Sequence, residues 1–216
     1  MPRHGWAASE LREAALTYAI KQQWAVAQGH FQDRYGCSCG NSRCATPGAH
    51  PVRPYWSAGA TEDPHTIRSS WSRDPYTIIL PTGRQFDVLD VPGGPGGEAL
   101  MRLEILGYRL GPVARTTDGR ILIWVASGSR LYSLGVLQRY GDAGIRCLSA
   151  GDYVLAPPSA GARWLASPGA TSWHLPSAAD LIGTIACACG QAKPETGGPT
   201  ALPPQRTGNQ FEERAG

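Results

Sequence analysis

The spacing of apolar positions changes several times along the chain, and each change marks an element. Over residues 9 to 24, Leu11, Ala14, Ala15, Tyr18 and Ala19 recur at helical steps on one face, with Ser9 placed to cap the helix. Residues 29 to 54 lose that periodicity to Cys, Gly and Pro and predict a loop. Asp63-Pro64, a capping residue followed by proline at the first helical position, opens a short helix through Ile67 and Trp71. Residues 77 to 80 (T-I-I-L) and 86 to 91 (F-D-V-L-D-V) are short apolar runs that read as core strands joined by the turn Pro81-Thr82-Gly83-Arg84.

The glycine-rich segment 93 to 97 follows a strand, but Pro95 removes an N–H that a phosphate cradle would use, so a plain flexible loop is expected. A helix is then expected over 98 to 106, with Leu100, Leu103 and Leu106 inward and Gly107 ending it. Strands over 113 to 116 and 120 to 126 flank Thr117-Asp118-Gly119, whose Asp-Gly is a hairpin signal. A helix over 131 to 140, a strand over 152 to 156 stopped by Pro157-Pro158, and a helix over 178 to 189 complete the pattern. Strands interleaved with helices, including a hairpin, predict an α/β (α+β) domain over 9 to 189, a mixed sheet with helices packed on it. From Gly190 to the end the chain has four Pro, five Gly and almost no apolar residues, which predicts a disordered tail.

Composition narrows the class without naming a function. A chain of 216 residues with 42% hydrophobic and 17% charged residues has enough apolar side chains for one globular core. No apolar run reaches the ~18–20 residues that span a bilayer. Glu10, Arg12, Glu13 and Lys21 interrupt the first apolar pattern, so it is no secretory signal, and the cytoplasm is the expected compartment. The net charge of +3 is too small to announce a nucleic-acid-binding protein. Of the 20 basic residues, all but Lys21 and Lys193 are arginine, whose planar fork suits phosphate. A GC-rich genome gives the same bias along with abundant Ala, Gly and Pro, and that is the simpler reading.

Cys37, Cys39, Cys44 and His50 stand in the spacing C-x-C-x4-C-x5-H, with Gly40, Asn41, Ser42, Pro47 and Gly48 as turn formers between them. Zinc takes four thiolate and imidazole ligands in a tetrahedron, and short loops let one turn wrap the ion. A structural zinc site is expected; the alternative is three unligated thiols beside a chance histidine. Cys187 and Cys189 are two apart on a helix and point in different directions, so they and Cys147 are expected to serve as small buried hydrophobes.

Several phrases also stand in one order: the helix ending near Trp24, the loop C-S-C-G…C-A-T-P-G-A-H-P (37 to 51), the helix T-E-D-P-H-T-I-R-S-S-W (61 to 71), T-I-I-L-P-T-G (77 to 83), V-L-D-V (88 to 91) and G-D-Y-V-L-A-P-P-S (151 to 159). Together they resemble the N-terminal domain of bifunctional DNA primase-polymerases, of the archaeo-eukaryotic primase type, over about residues 9 to 165. The resemblance implies an RNA-recognition-motif-like sheet carrying a polymerase site in which carboxylates hold two Mg²⁺ or Mn²⁺. Its first motif, Asp-x-Asp, reads Asp90-Val91-Pro92 here; its Gly-x-His reads Gly119-Arg120-Ile121; its Asp before Ile-Arg reads Gly144-Ile145-Arg146. Only Asp90 of the implied catalytic groups remains. Asp87 is three residues away on the strand and is expected to face the other side. Arg84, Arg115, Arg120 and Arg146 lie near the motifs as candidate phosphate contacts, or else as solvated surface arginines. Trp124 and Tyr153 either stack bases or fill the core.

Three readings stay open. One is a primase-polymerase homologue without polymerase activity that keeps nucleotide or DNA binding. Another is an active nucleotidyltransferase with a rearranged metal site built from Asp87, Asp90 and Asp142, for which Mg²⁺ or Mn²⁺ would be needed. The third is a zinc-stabilised interaction module. A second acid converging with Asp90 in an open cleft would separate them.

Overall fold

The computed structural model describes residues 8–140 and 144–191. In chain order the elements are α1 (Ala8–Gln22), β1 (Ala27–Gly29), β2 (Gln32–Asp33), β3 (Gly36–Cys37), α2 (Pro64–Ser70), β4 (Thr77–Pro81), β5 (Phe86–Val91), α3 (Gly93–Ile105), β6 (Val113–Thr116), β7 (Ile121–Ala126), α4 (Arg130–Tyr140), β8 (Arg146–Leu148), β9 (Tyr153–Ala156), β10 (Ala162–Ala166) and α5 (Ala178–Gln191). They form a five-stranded sheet in the order β10-β6-β7-β5-β8, a three-stranded sheet β1-β4-β9, and the small hairpin β2-β3. The expected α+β domain with helices on its sheet is present. Its described ladders are all antiparallel, so the sheet is mixed in order but not in strand direction.

β5 sits inside the large sheet, between β7 and β8, and all six of its residues are buried. Side chains alternate across a strand, so one run of six feeds two cores. Phe86 and Val88 join Trp24, Leu122 and Trp124 in a cluster reached by α1, α2 and β4. Leu89 and Val91 join Ile121, Ile123 and Val125 in a second cluster under α3 and α5. Trp124 is fully buried between Phe86 and Trp164, with ring centroids 6.2 and 4.8 Å away, so it fills the core and offers no face to a base.

The ends of elements follow local chemistry. α2 opens as its sequence predicts: the Asp63 carboxylate accepts the N–H groups of His65 and Thr66, and Pro64 costs nothing where no intrahelical bond is due. Ser9 lies inside α1 rather than at its cap. α1 stops at Gln22 because Gln23 turns left-handed (φ 53°) and the Trp24 N–H reaches back to the Tyr18 carbonyl, burying Trp24. α3 corrects the expected flexible loop: the helix begins at Gly93 and includes the whole glycine-rich segment. The first N–H groups of a helix have no internal acceptor, so Pro95 is tolerated there. A side chain at Gly93 would collide with the Gly119 carbonyl, and one at Gly96 would press on Ile121 and Val91. Glycine lets the helix start settle directly on the β6–β7 turn. α5 runs to Gln191, beyond the Gly190 where the tail was expected; residues 192–216 lie outside the described part. No described helix is long and apolar enough to cross a membrane.

Candidate functional site

Two groups of polar side chains stand out. The first is the cysteine-histidine loop. The ligand atoms of Cys37, Cys39, Cys44 and His50 all lie within 4.8 Å of one another. His50 Nε2 is 3.4 Å from the sulfurs of both Cys37 and Cys44. A tetrahedral zinc with thiolates at about 2.3 Å and an imidazole at about 2.0 Å spans a cluster of this size. The donor set therefore fits, and the four residues can hold a metal such as zinc. His50 Nδ1 faces the Pro51 carbonyl at 3.3 Å, which would keep the proton on Nδ1 and leave Nε2 for a metal.

Crowding already strains the protonation of these thiols. Burial alone would raise Cys37, but N–H groups of Cys39 and Gly48, with the His50 ring, outweigh it and bring the thiol down to about 6. Burial lifts Cys44 to about 11, and the neighbouring Cys37 and Cys39 add to the rise. A cation among the sulfurs resolves that conflict.

The loop is clamped to the sheet at both ends. The His30 N–H donates to the His50 carbonyl (2.8 Å), and the Val52 N–H to the Gln28 carbonyl (3.0 Å). The His30 ring lies against that of His50, with centroids 4.6 Å apart. The Tyr153 hydroxyl donates to the Ala49 carbonyl at 3.2 Å, and burial pushes that phenol up to about 12. Tyr153, a candidate base stacker, braces the loop. Cys189 is buried in the second core cluster and Cys147 packs against it, as small hydrophobes do.

The second group surrounds Asp90, on the last turn of the pleat in β5. Asp90 is 2% exposed. In register it stands beside Leu122 of β7 and Arg146 of β8, so all three side chains share one face. Arg146 donates Nε (2.8 Å) and Nη2 to one carboxylate oxygen. Arg120 donates Nε to the other, and its Nη2 bonds the carbonyls of Asp90 (3.1 Å) and Gly144 (2.8 Å). Both carboxylate oxygens are thus occupied by guanidinium groups.

The positions that the resemblance singled out do converge. A side chain at Gly144 would touch the Pro92 ring at 3.1 Å, beside Asp90 and Arg120. The corner is assembled, and its residues are proline, glycine and arginine. Ile121 is the exception. It pairs with Val91 and packs in the second core cluster, on the face away from Asp90. The residue of that motif which reaches the carboxylate is Arg120.

Asp87 points to the helical side, accepting the Ser129 N–H at 2.7 Å, as its spacing from Asp90 predicted. Asp142 lies outside the described residues. Arg84 is exposed in the turn before β5, at the opposite end of the strand and roughly 20 Å along the chain from Asp90 at ~3.3 Å per residue. It is not part of this corner. Among the described residues, the only cluster of metal-ligating side chains is the Cys₃His group. Among the described residues, no second carboxylate joins Asp90 to hold a divalent metal pair.

Arginine at 120 and 146 was legible as basic chemistry near the motifs, but not as the partner of Asp90. That pairing depends on β8, three residues long and without a period of its own. His30 went unnoticed because a lone histidine in a loop carries no signal until His50 is beside it.

No curated protein and no solved structure shows a significant match to the chain. The family model for the N-terminal domain of bifunctional DNA primase/polymerase matches residues 15–179, a span that contains the Cys₃His loop, the Asp90 corner and both sheets. The chain belongs to the Prim-Pol family of bifunctional DNA primase/polymerase N-terminal domains.

Proposed function

We propose that this is a Prim-Pol domain that has lost nucleotidyl transfer and has kept contact with the phosphates of a nucleotide or nucleic acid, its loop held by a structural zinc on Cys37, Cys39, Cys44 and His50. One observation carries the reading: Arg120 and Arg146 occupy both oxygens of Asp90, the one acid among the described residues at the corner where the family's motifs meet. Nucleotidyl transfer by two metals needs carboxylates to gather two dications that repel each other. Two unit charges about 4 Å apart interact by ~4 kcal/mol near a protein surface. A dication next to a guanidinium meets about twice that repulsion, with no free carboxylate among the described residues of the corner to offset it.

The chemistry the corner retains is that of guanidinium. Arg forks recognise phosphate through paired, charge-assisted hydrogen bonds. Phosphate contact at Arg120 and Arg146 is therefore the function best supported once catalysis is set aside.

The test is primer synthesis and primer extension on single-stranded templates, with Mg²⁺ and with Mn²⁺, beside Asp90→Ala. No product is expected from either protein. Template-dependent product that vanishes in Asp90→Ala would establish an active, rearranged site instead.

A further inference from the structure

The cations at this corner belong to the chain itself, and that has a consequence for what it binds. Asp90 contributes one negative charge and Arg120 and Arg146 two positive charges, so the group carries a net +1. The Arg120 side chain is 22% exposed and that of Arg146 41%, while Asp90 is almost wholly covered. A ligand approaching from solvent meets guanidinium, not carboxylate.

A guanidinium has more N–H donors than one carboxylate can accept. Arg146 spends Nε and Nη2 on Asp90, and Arg120 spends Nε and Nη2 on Asp90 and Gly144. Among the described residues, Nη1 of neither has a protein acceptor. Asp90 also fixes both side chains, so their ordering does not have to be paid at binding.

Two further arginines stand at this end of the sheet, on the face away from Asp90 that Ile121 occupies. Arg115 of β6 stands directly opposite Arg163 of β10 in register, and both are exposed. Like charges directly opposite each other on a sheet destabilise it. The Arg115 guanidinium lies alongside Gly119, next to Arg120. Asp118 in the same turn is engaged by the Thr116 hydroxyl.

We infer that this end of the sheet is a metal-independent phosphate site, in which the guanidinium groups of Arg120 and Arg146 take the role that divalent ions play in two-metal phosphate chemistry. The inference rests on the proposed phosphate-binding function and adds its mechanism. The shared ligand chemistry is a phosphate group, from a free nucleoside triphosphate or from a single-stranded nucleic-acid backbone.

Calorimetric titration of the zinc-loaded full chain tests it, in buffer freed of divalent ions by a chelating resin so that the protein keeps its zinc. The probes are inorganic tripolyphosphate, dATP and a short single-stranded DNA. Binding is expected without Mg²⁺, and adding Mg²⁺ should weaken it or leave it unchanged, because the ion neutralises the ligand. Arg146→Ala should lower affinity about tenfold or more, as loss of a charge-assisted fork does. Arg68→Ala, exposed on α2, should leave it unchanged. Arg146→Lys keeps the charge without the fork and should fall between, which keeps the test decisive if the alanine variant folds poorly.

Tripolyphosphate and dATP binding without DNA binding assigns the site to free nucleotides; DNA that binds and displaces tripolyphosphate assigns it to a backbone. Binding that appears only with Mg²⁺, binding indifferent to both Arg146 variants, or no binding of any probe overturns the inference. Primer synthesis alongside intact metal-free binding would overturn the loss of catalysis and leave this site standing.

Discussion

Asp90 lies where solvent cannot meet its charge, and the two arginines that do so come from the turn before β7 and from β8. Asp90→Asn would leave the two guanidiniums facing each other without a counter-charge. Breaking a fully buried pair costs about 3–5 kcal/mol. Here both arginines touch water, and screening reduces the loss to roughly 1–3 kcal/mol. The urea midpoint of Asp90→Asn should fall accordingly, while that of Asp180→Asn, exposed in the first turn of α5, should stay within about 0.5 kcal/mol of the parent. Equal stability of the two variants would mean that the ion group does not hold the sheet end together. At this scale the sequence was half legible. The identity of Asp90, and the opposite facing of Asp87, follow from strand alternation alone. That Asp90 has arginine partners follows from register between strands 56 residues apart, which no local period encodes.

Among the elements, the glycine segment is where local reading failed most clearly. Gly93 to Gly97 lacks helix formers, and its propensity alone predicts a loop. The tertiary contact decides otherwise: α3 begins against the Gly119 carbonyl, where only glycine fits. Gly93→Ala would force either the helix start or the β6–β7 turn to move, and overpacking of this kind typically costs about 1–3 kcal/mol. Gly97→Ala, about one helical turn further along the same segment but with open space around it, should be neutral or stabilising. Similar thermal midpoints for the two variants would contradict the close approach. The Cys₃His loop was the reverse case, legible in full from its spacing because the ligands lie within fourteen residues. Its supports, His30 and Tyr153, come from outside that window and needed the fold. Purified protein should carry close to one zinc per chain by metal analysis; a strong chelator should lower the melting temperature, and Cys37→Ser/Cys44→Ser should carry none. A wild type that folds fully and melts unchanged without metal would remove zinc from the account.

For the whole molecule, the chain is a Prim-Pol domain, and under the proposed reading its Asp90 corner binds phosphate without catalysing transfer. The sheet brings positions 90, 92, 120 and 144 together in one corner. The Asp90, Arg120 and Arg146 group there carries a net positive charge. Fold class was readable from interleaved strand and helix patterns, and the proposed loss of catalysis rests on the three motif positions read in the sequence. The most direct test is whether a divalent ion binds at Asp90 at all. Mn²⁺ can be titrated into zinc-loaded protein with dATP present, and free Mn²⁺ followed by electron paramagnetic resonance. The signal should match that of Asp90→Ala with dATP at every concentration. One or two Mn²⁺ ions bound per chain in the wild type, and lost in Asp90→Ala, would contradict the account.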